Sequence, residues 1–159
     1  MNIQLKDALN NKLTDALILP ANFKDMPTEK EGWNFNWKHL FKQGGMFYKV
    51  VLKDEPNQVQ GLLKVSVANS EIFFMDNLEV SPENYGINGK YDYVAGVLIA
   101  YACKLSFEYG KKNYEGYVVF DSKTVLIDYY KKKYGATFVF GQRMFFLPET
   151  GKKLMKQYL

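Results

Sequence analysis

The chain has 159 residues, 47% of them apolar and 24% charged, a balance that supports one hydrophobic core and excludes wholesale disorder. One cysteine and one histidine cannot furnish a Cys/His zinc site or an intramolecular disulfide, and the longest apolar run, Tyr93 to Cys103, falls short of the roughly 20 residues that span a bilayer. The net charge of +4 comes from scattered lysines with one run at Lys131, Lys132 and Lys133, and no aromatic-plus-basic repeat argues for a nucleic-acid partner. Lys6 and Asp7 interrupt the apolar start where a secretory signal would lie, so the expectation is a soluble cytoplasmic chain forming a single domain over residues 1–159.

In chain order, Asp7 to Leu19 has partial helical spacing, and Pro20, Pro27 and Gly32 punctuate a loop after it. That loop leads to an alternating aromatic set, Trp33, Phe35 and Trp37, beside His39, Leu40 and Phe41, and Gly44-Gly45 ends the segment. Three strand-like runs follow: Met46 to Lys53, a turn at Glu55-Pro56-Asn57, Gln58 to Ala68, a turn at Asn69-Ser70, and Glu71 to Val80. Such short turns imply an antiparallel meander. Pro82 and the stretch Asn84 to Gly89 then break the pattern.

Val94, Val97, Leu98, Tyr101 and Leu105 share one face of an amphipathic helix that Gly110 and Lys111-Lys112 close. Tyr114 to Phe120 reads as a strand, with Asp121 or Ser122 able to cap a helix carrying Val125, Leu126, Tyr129 and Tyr130 and ending at Gly135. Two short strands, Ala136 to Phe140 and Arg143 to Leu147, precede a basic helix around Lys152 to Tyr158. A helical amino-terminal region, a meander and alternating helices and strands make an α/β (α+β) layout with a sheet covered by helices. Cys103, mid-helix among apolar residues, reads as core, and His39 has no nucleophile partner.

The connection between the third strand and the helix at Val94 is the most informative place. A chain that leaves a strand, passes glycines and enters a helix presents unbonded N–H groups at a positive dipole end, where phosphate binds. Leu78-Glu79-Val80-Ser81-Pro82-Glu83, followed by such a loop and helix, resembles the acetyl-CoA motif of the GCN5-related N-acetyltransferases. Lys90-Tyr91-Asp92-Tyr93-Val94-Ala95, running into Gly96, matches their Gln/Arg-x-x-Gly-x-Gly/Ala pyrophosphate loop, with Ala95 fitting the last position and Lys90 keeping the charge of the first. Tyr93 departs from it by standing where the middle glycine belongs. Phe120 to Gly135-Ala136 resembles the family's fifth strand and fourth helix, the whole resemblance covering roughly residues 46 to 147.

The resemblance implies a mixed, mostly antiparallel central sheet flanked by helices, with acetyl-CoA as cosubstrate and no metal. It implies transfer of the acetyl group to an amine by direct attack in a ternary complex. Tyr130 matches the tyrosine that protonates the departing thiolate, although the spacing to Gly135 leaves Tyr129 open. Backbone N–H groups from Leu78 through Val80 correspond to the oxyanion donors, and Lys90, Val94, Ala95 and Gly96 to the pyrophosphate cradle. Ser122 or Lys123 stands where the family carries an asparagine. Asp76 and Glu79 are the carboxylates placed to orient or deprotonate the amine, Asp76 being favoured as the base.

Trp33 and Trp37 fall where this fold walls the acceptor site, and an aromatic wall suits a flat or cationic acceptor. The expected partners are an amine-bearing small molecule or a protein or peptide acceptor, with no membrane and with room for a homodimer. The rival reading, motivated by Tyr93 and the missing asparagine, is an inactive module of the same fold that binds acyl-CoA or a partner.

Overall fold

Alternation, not helical periodicity, governs the amino-terminal segment of the computed structural model, which describes residues 1–159. Strands β1 (Asn2–Asp7) and β2 (Lys12–Pro20) pair antiparallel, from Asn2↔Leu17 to Asp7↔Lys12, where a helical region was expected. Every second residue is buried, Ile3 and Leu5 on one strand and Ala16 and Ile18 on the other. Leu9 and Leu13, which contribute to the helical spacing, are 93% and 58% exposed. The turn is built by Asp7, whose Oδ1 accepts from the N–H groups of Leu9 and Asn10 at 2.9 and 3.2 Å.

The remaining elements are α1 (Trp37–Lys42), β3 (Met46–Leu52), β4 (Glu55–Ala68), β5 (Ile72–Val80), β6 (Tyr91–Asp92), α2 (Val94–Tyr109), β7 (Val118–Asp121), α3 (Ile127–Tyr134), β8 (Thr137–Phe140), β9 (Arg143–Phe146) and α4 (Pro148–Tyr158). Strand order in the sheet is β6-β1-β2-β3-β4-β5-β7-β9-β8, mostly antiparallel with helices flanking it. This is the expected α/β (α+β) class. The β3–β4 turn lies at Lys53-Asp54, so Glu55 to Asn57 extend the strand instead of turning. No helix is long and apolar enough to cross a membrane.

The chain parts into two compact units, residues 1–64 with 77–98, and residues 65–76 with 99–159. In the first, Met26, Trp33, Trp37, Phe47 and Leu62 form a buried cluster. The alternating aromatics leading into it are not a strand: Asn36 caps α1, its side chain accepting from the His39 N–H at 3.2 Å, and Trp37 opens the helix inside the core. Trp37 meets Phe35 and Phe47 edge-on, with ring centroids 6.0 and 6.4 Å apart.

In the second unit the β4–β5 turn carries positive φ at both Asn69 and Ser70, the geometry that matches the twist of a tight hairpin. Parallel pairing of β5 with β7 runs through Phe74↔Val119, and β7, β9 and β8 continue antiparallel. Strand β7 starts later than expected because Lys112–Tyr114 form a 3-10 turn and Gly116 takes φ 84°. Neither Asp121 nor Ser122 caps the next helix. Asp121 pairs with Arg143 at 2.6 Å, and the Ser122 hydroxyl donates to the Lys123 carbonyl at 2.9 Å. At its other end α3 closes on Gly135 (φ 73°) as expected, with Gly135 N–H to Lys131 O and Ala136 N–H to Tyr130 O. Cys103 is buried in α2 and lies against Gly151 of α4, and burial pushes its thiol up to about 12.

Candidate active site

Between β5 and α2 the chain is clamped by the buried side chain of Asn84. Its Nδ2 donates to Gln60 Oε1 at 2.9 Å and Ser81 Oγ at 3.0 Å, and its Oδ1 accepts from the Tyr91 N–H at 2.9 Å. A Cβ on Gly89 would lie 2.6 Å from the Asn84 carbonyl oxygen, so only glycine lets the loop fold this closely. Strand β6 then pairs with β1 through Asp7↔Tyr91 and Lys6↔Asp92, which fixes the direction from which the backbone enters α2.

Tyr93, the residue before the helix, has φ +80°. A left-handed backbone is the conformation for which glycine is ordinarily needed, and here a half-exposed tyrosine adopts it. The first helical hydrogen bond runs from the Val97 N–H to the Tyr93 carbonyl at 2.8 Å. The N–H groups of Val94, Ala95 and Gly96 therefore have no partner within the helix and stand at its positive end. Gly61 of β4 sets the depth of this end: a Cβ there would come within 2.6 Å of Val94 Cγ1. Lys90 is exposed, its Nζ 5.5 Å from the centre of the Tyr91 ring.

Glu79 is 4% exposed and saturated. Its Oε2 accepts from the Asn34 N–H at 2.6 Å and the Tyr85 hydroxyl at 3.0 Å, and its Oε1 from the Phe35 N–H at 3.1 Å and Trp37 Nε1 at 2.9 Å. Burial, and then the hydrogen bond and charge of Glu79, push the Tyr85 hydroxyl up to about 12. A carboxylate held by these donors ties the β5 end to the segment from Asn34 to Trp37 and to Tyr85. Asp76 stands exposed on β5, while Leu78 and Val80 are half-buried.

Trp37 has no exposed surface, so the expectation that it walls an acceptor is corrected to that of a core residue held by Glu79. Trp33, 7% exposed, lines an open cavity of about 360 Å³ in the first unit. The sequence carries no signal for Asn84, Asn34 or Tyr85, which look like ordinary loop residues until their partners are known.

In the second unit Tyr130 lies in an aromatic cluster, its ring 5.2 Å from Phe120, 5.8 Å from Tyr129 and 6.1 Å from Tyr134. Burial, and to a lesser degree the neighbouring Tyr129, raise its pKa above that of an ordinary tyrosine. Tyr134 is raised further, by burial and by Tyr129. Ser122 is buried and spends its hydroxyl on the Lys123 carbonyl, leaving Lys123 as the exposed group of that pair.

A nine-stranded mixed sheet whose β5 leads through a clamped loop to an open helix start is the architecture of the GCN5-related N-acetyltransferase fold. Solved structures bear this out. A mutant of the toxin AtaT bound to the C-terminus of the antitoxin AtaR matches with TM-score 0.61 and 16% identity, over 90% of this chain and 98% of that one. The KacTA–DNA complex matches with TM-score 0.62 and 11% identity, over 89% and 99%. A GNAT-family acetyltransferase from Listeria monocytogenes matches with TM-score 0.56 and 11% identity, over 89% and 96%. No family model and no curated protein matches the sequence. At these identities the likeness is one of fold.

Proposed function

We propose that the chain works as one acyl-CoA-dependent N-acyltransferase domain that transfers an acetyl group from acetyl-CoA to an amine. The observation that carries the reading is Tyr93. The position where the resembling motif has glycine keeps a glycine-like φ of +80°, and it leads into the N–H groups of Val94, Ala95 and Gly96, which have no partner within the helix. Such a helix start suits a pyrophosphate, and exposed Lys90 adds positive charge beside it. The occurrence of acetyl-CoA in a structure of AtaT with this fold supports the same ligand.

In the proposed reaction the amine nitrogen attacks the thioester carbonyl, a C–N bond forms and the C–S bond breaks. The nitrogen gives up its proton to Asp76 directly or through water, backbone N–H groups of Leu78 to Val80 hold the developing oxyanion, and the Tyr130 hydroxyl protonates the departing sulfur. Direct attack is supported by Cys103, a buried thiol held protonated and so unsuited to carry an acyl group.

The test is thermal unfolding of wild type and Ala95→Glu with and without acetyl-CoA. Ala95 is half-buried, so a glutamate is tolerated there, whereas at buried Val94 it would disturb packing on Gly61. Ligand at 100 times its Kd adds about 2.7 kcal/mol, a shift of several degrees. The shift is expected in wild type and not in Ala95→Glu. Its absence from wild type at millimolar ligand overturns the reading.

A further inference from the structure

The cavity that Trp33 lines combines acidic and neutral polar groups with an aromatic side chain. It measures about 360 Å³, within the range of small-molecule pockets, and lies wholly in the first unit. Its lining is more polar than apolar: Asn57, Gln58 and Ser81 supply neutral acceptors, Glu31 and Glu83 carboxylates, and Met26, Val59 and Pro82 a smaller apolar part beside the Trp33 indole. Both glutamates are exposed and neither has an ion-pair partner, Glu83 accepting only the neutral Gln58 amide at 3.1 Å.

The third carboxylate, Asp25, is already neutralised by Lys49 at 2.7 Å and accepts the Asn22 N–H at 2.9 Å. Lys24 is the single cation on the lining, against Glu31 and Glu83, so the cavity stays net negative and disfavours an anionic ligand. A neutral apolar ligand would leave them without use. A short aliphatic chain carrying several ammonium groups matches these parts: carboxylates for its charges, amide and hydroxyl oxygens to accept from its N–H groups, and the Trp33 indole with the smaller apolar part for its methylenes.

We propose that this cavity binds an aliphatic di- or polyamine, one amine end of which is the acceptor group of the transfer. The binding claim stands on the cavity alone, and the acceptor role rests on the acyltransferase reading.

Calorimetric titration of the full chain with spermidine, and with a neutral aliphatic diol of similar length, tests it. Spermidine is expected to bind and the diol not to. Glu31→Gln and Glu83→Gln should each weaken spermidine about fivefold, the size of an exposed ion pair, with acetyl-CoA affinity unchanged. Spermidine binding that the double variant leaves intact, or no binding at millimolar spermidine with or without acetyl-CoA, overturns the cavity proposal. Spermidine binding that needs both glutamates in a chain that does not bind acetyl-CoA upholds the cavity and overturns the acyltransferase reading instead.

Discussion

Glu79, near the end of β5, accepts the indole N–H of Trp37 at 2.9 Å across 42 residues of sequence. The same carboxylate takes the backbone N–H groups of Asn34 and Phe35, so one side chain fixes both the helix start at Trp37 and the aromatic segment before it. Trp33, at the edge of the proposed amine cavity, belongs to that segment.

Removing this tie should be costly. Glu79→Ala leaves the buried Trp37 indole N–H and three part-buried donors without their acceptor and is expected to destabilise by about 3 kcal/mol in chemical denaturation. Trp37→Phe keeps most of the packing and deletes one donor, so about 1–2 kcal/mol is expected. Loss of activity in Glu79→Gln at wild-type stability would make Glu79 the base and overturn its role as a tie.

At Tyr93 the backbone and the side chain disagree. A non-glycine residue with φ +80° bears about 1 kcal/mol of strain, which Tyr93→Gly should relieve without weakening acetyl-CoA. Tyr93→Val, β-branched, should lower stability instead. Equal stability of the glycine and valine variants would show that the left-handed backbone is not held in solution.

Tyr130→Phe should lower kcat about 100-fold with little change in KM, the size of a lost general acid. Because burial and Tyr129 raise its pKa, Tyr130 keeps its proton to higher pH than the ordinary value of 10.0. The alkaline limb of kcat is therefore expected above pH 10, and the phenylalanine variant should lack it. A Tyr129→Phe variant with the larger defect would move the role one residue along the helix.

The Asp25–Lys49 pair sets an acid limit. Burial alone would raise the Asp25 carboxyl, but the Asn22 N–H, Lys49 and Lys24 outweigh it and hold the group below its usual 3.8. With the folded pKa depressed, the stabilisation is present above about pH 4 and is lost as pH falls through the folded-state value. Asp25→Asn should lower stability at neutral pH and converge with wild type in acid; parallel acid limbs for the two proteins would contradict the assignment.

Where local chemistry was sufficient, sequence and structure agree. The three strands from Met46 to Val80, helix α2, the Gly135 stop of α3 and the final strand pair all carry their own periodicity, although the first turn of the meander lies at Lys53-Asp54 and not at Glu55 to Asn57. Asp7 to Leu19 misleads because Leu9 and Leu13 complete a helical stripe yet lie on the surface, while alternation is carried by the smaller buried set. Trp33 and Trp37 read alike as a pair of tryptophans, but one lines a cavity and the other is sealed inside.

By itself the sequence determined most element types after residue 46, though not the short strand β6 or the 3-10 turn at Lys112–Tyr114, since spacing and turn chemistry act within a few residues. Only the tertiary structure decided that Tyr93 takes a left-handed φ, that Glu79 is a tie, and that Glu31 and Glu83 share a cavity with Trp33. Those outcomes depend on which donors and walls are brought together from distant parts of the chain, as Asn34 and Glu79 are across 45 residues, and burial is what gives such pairings their energy.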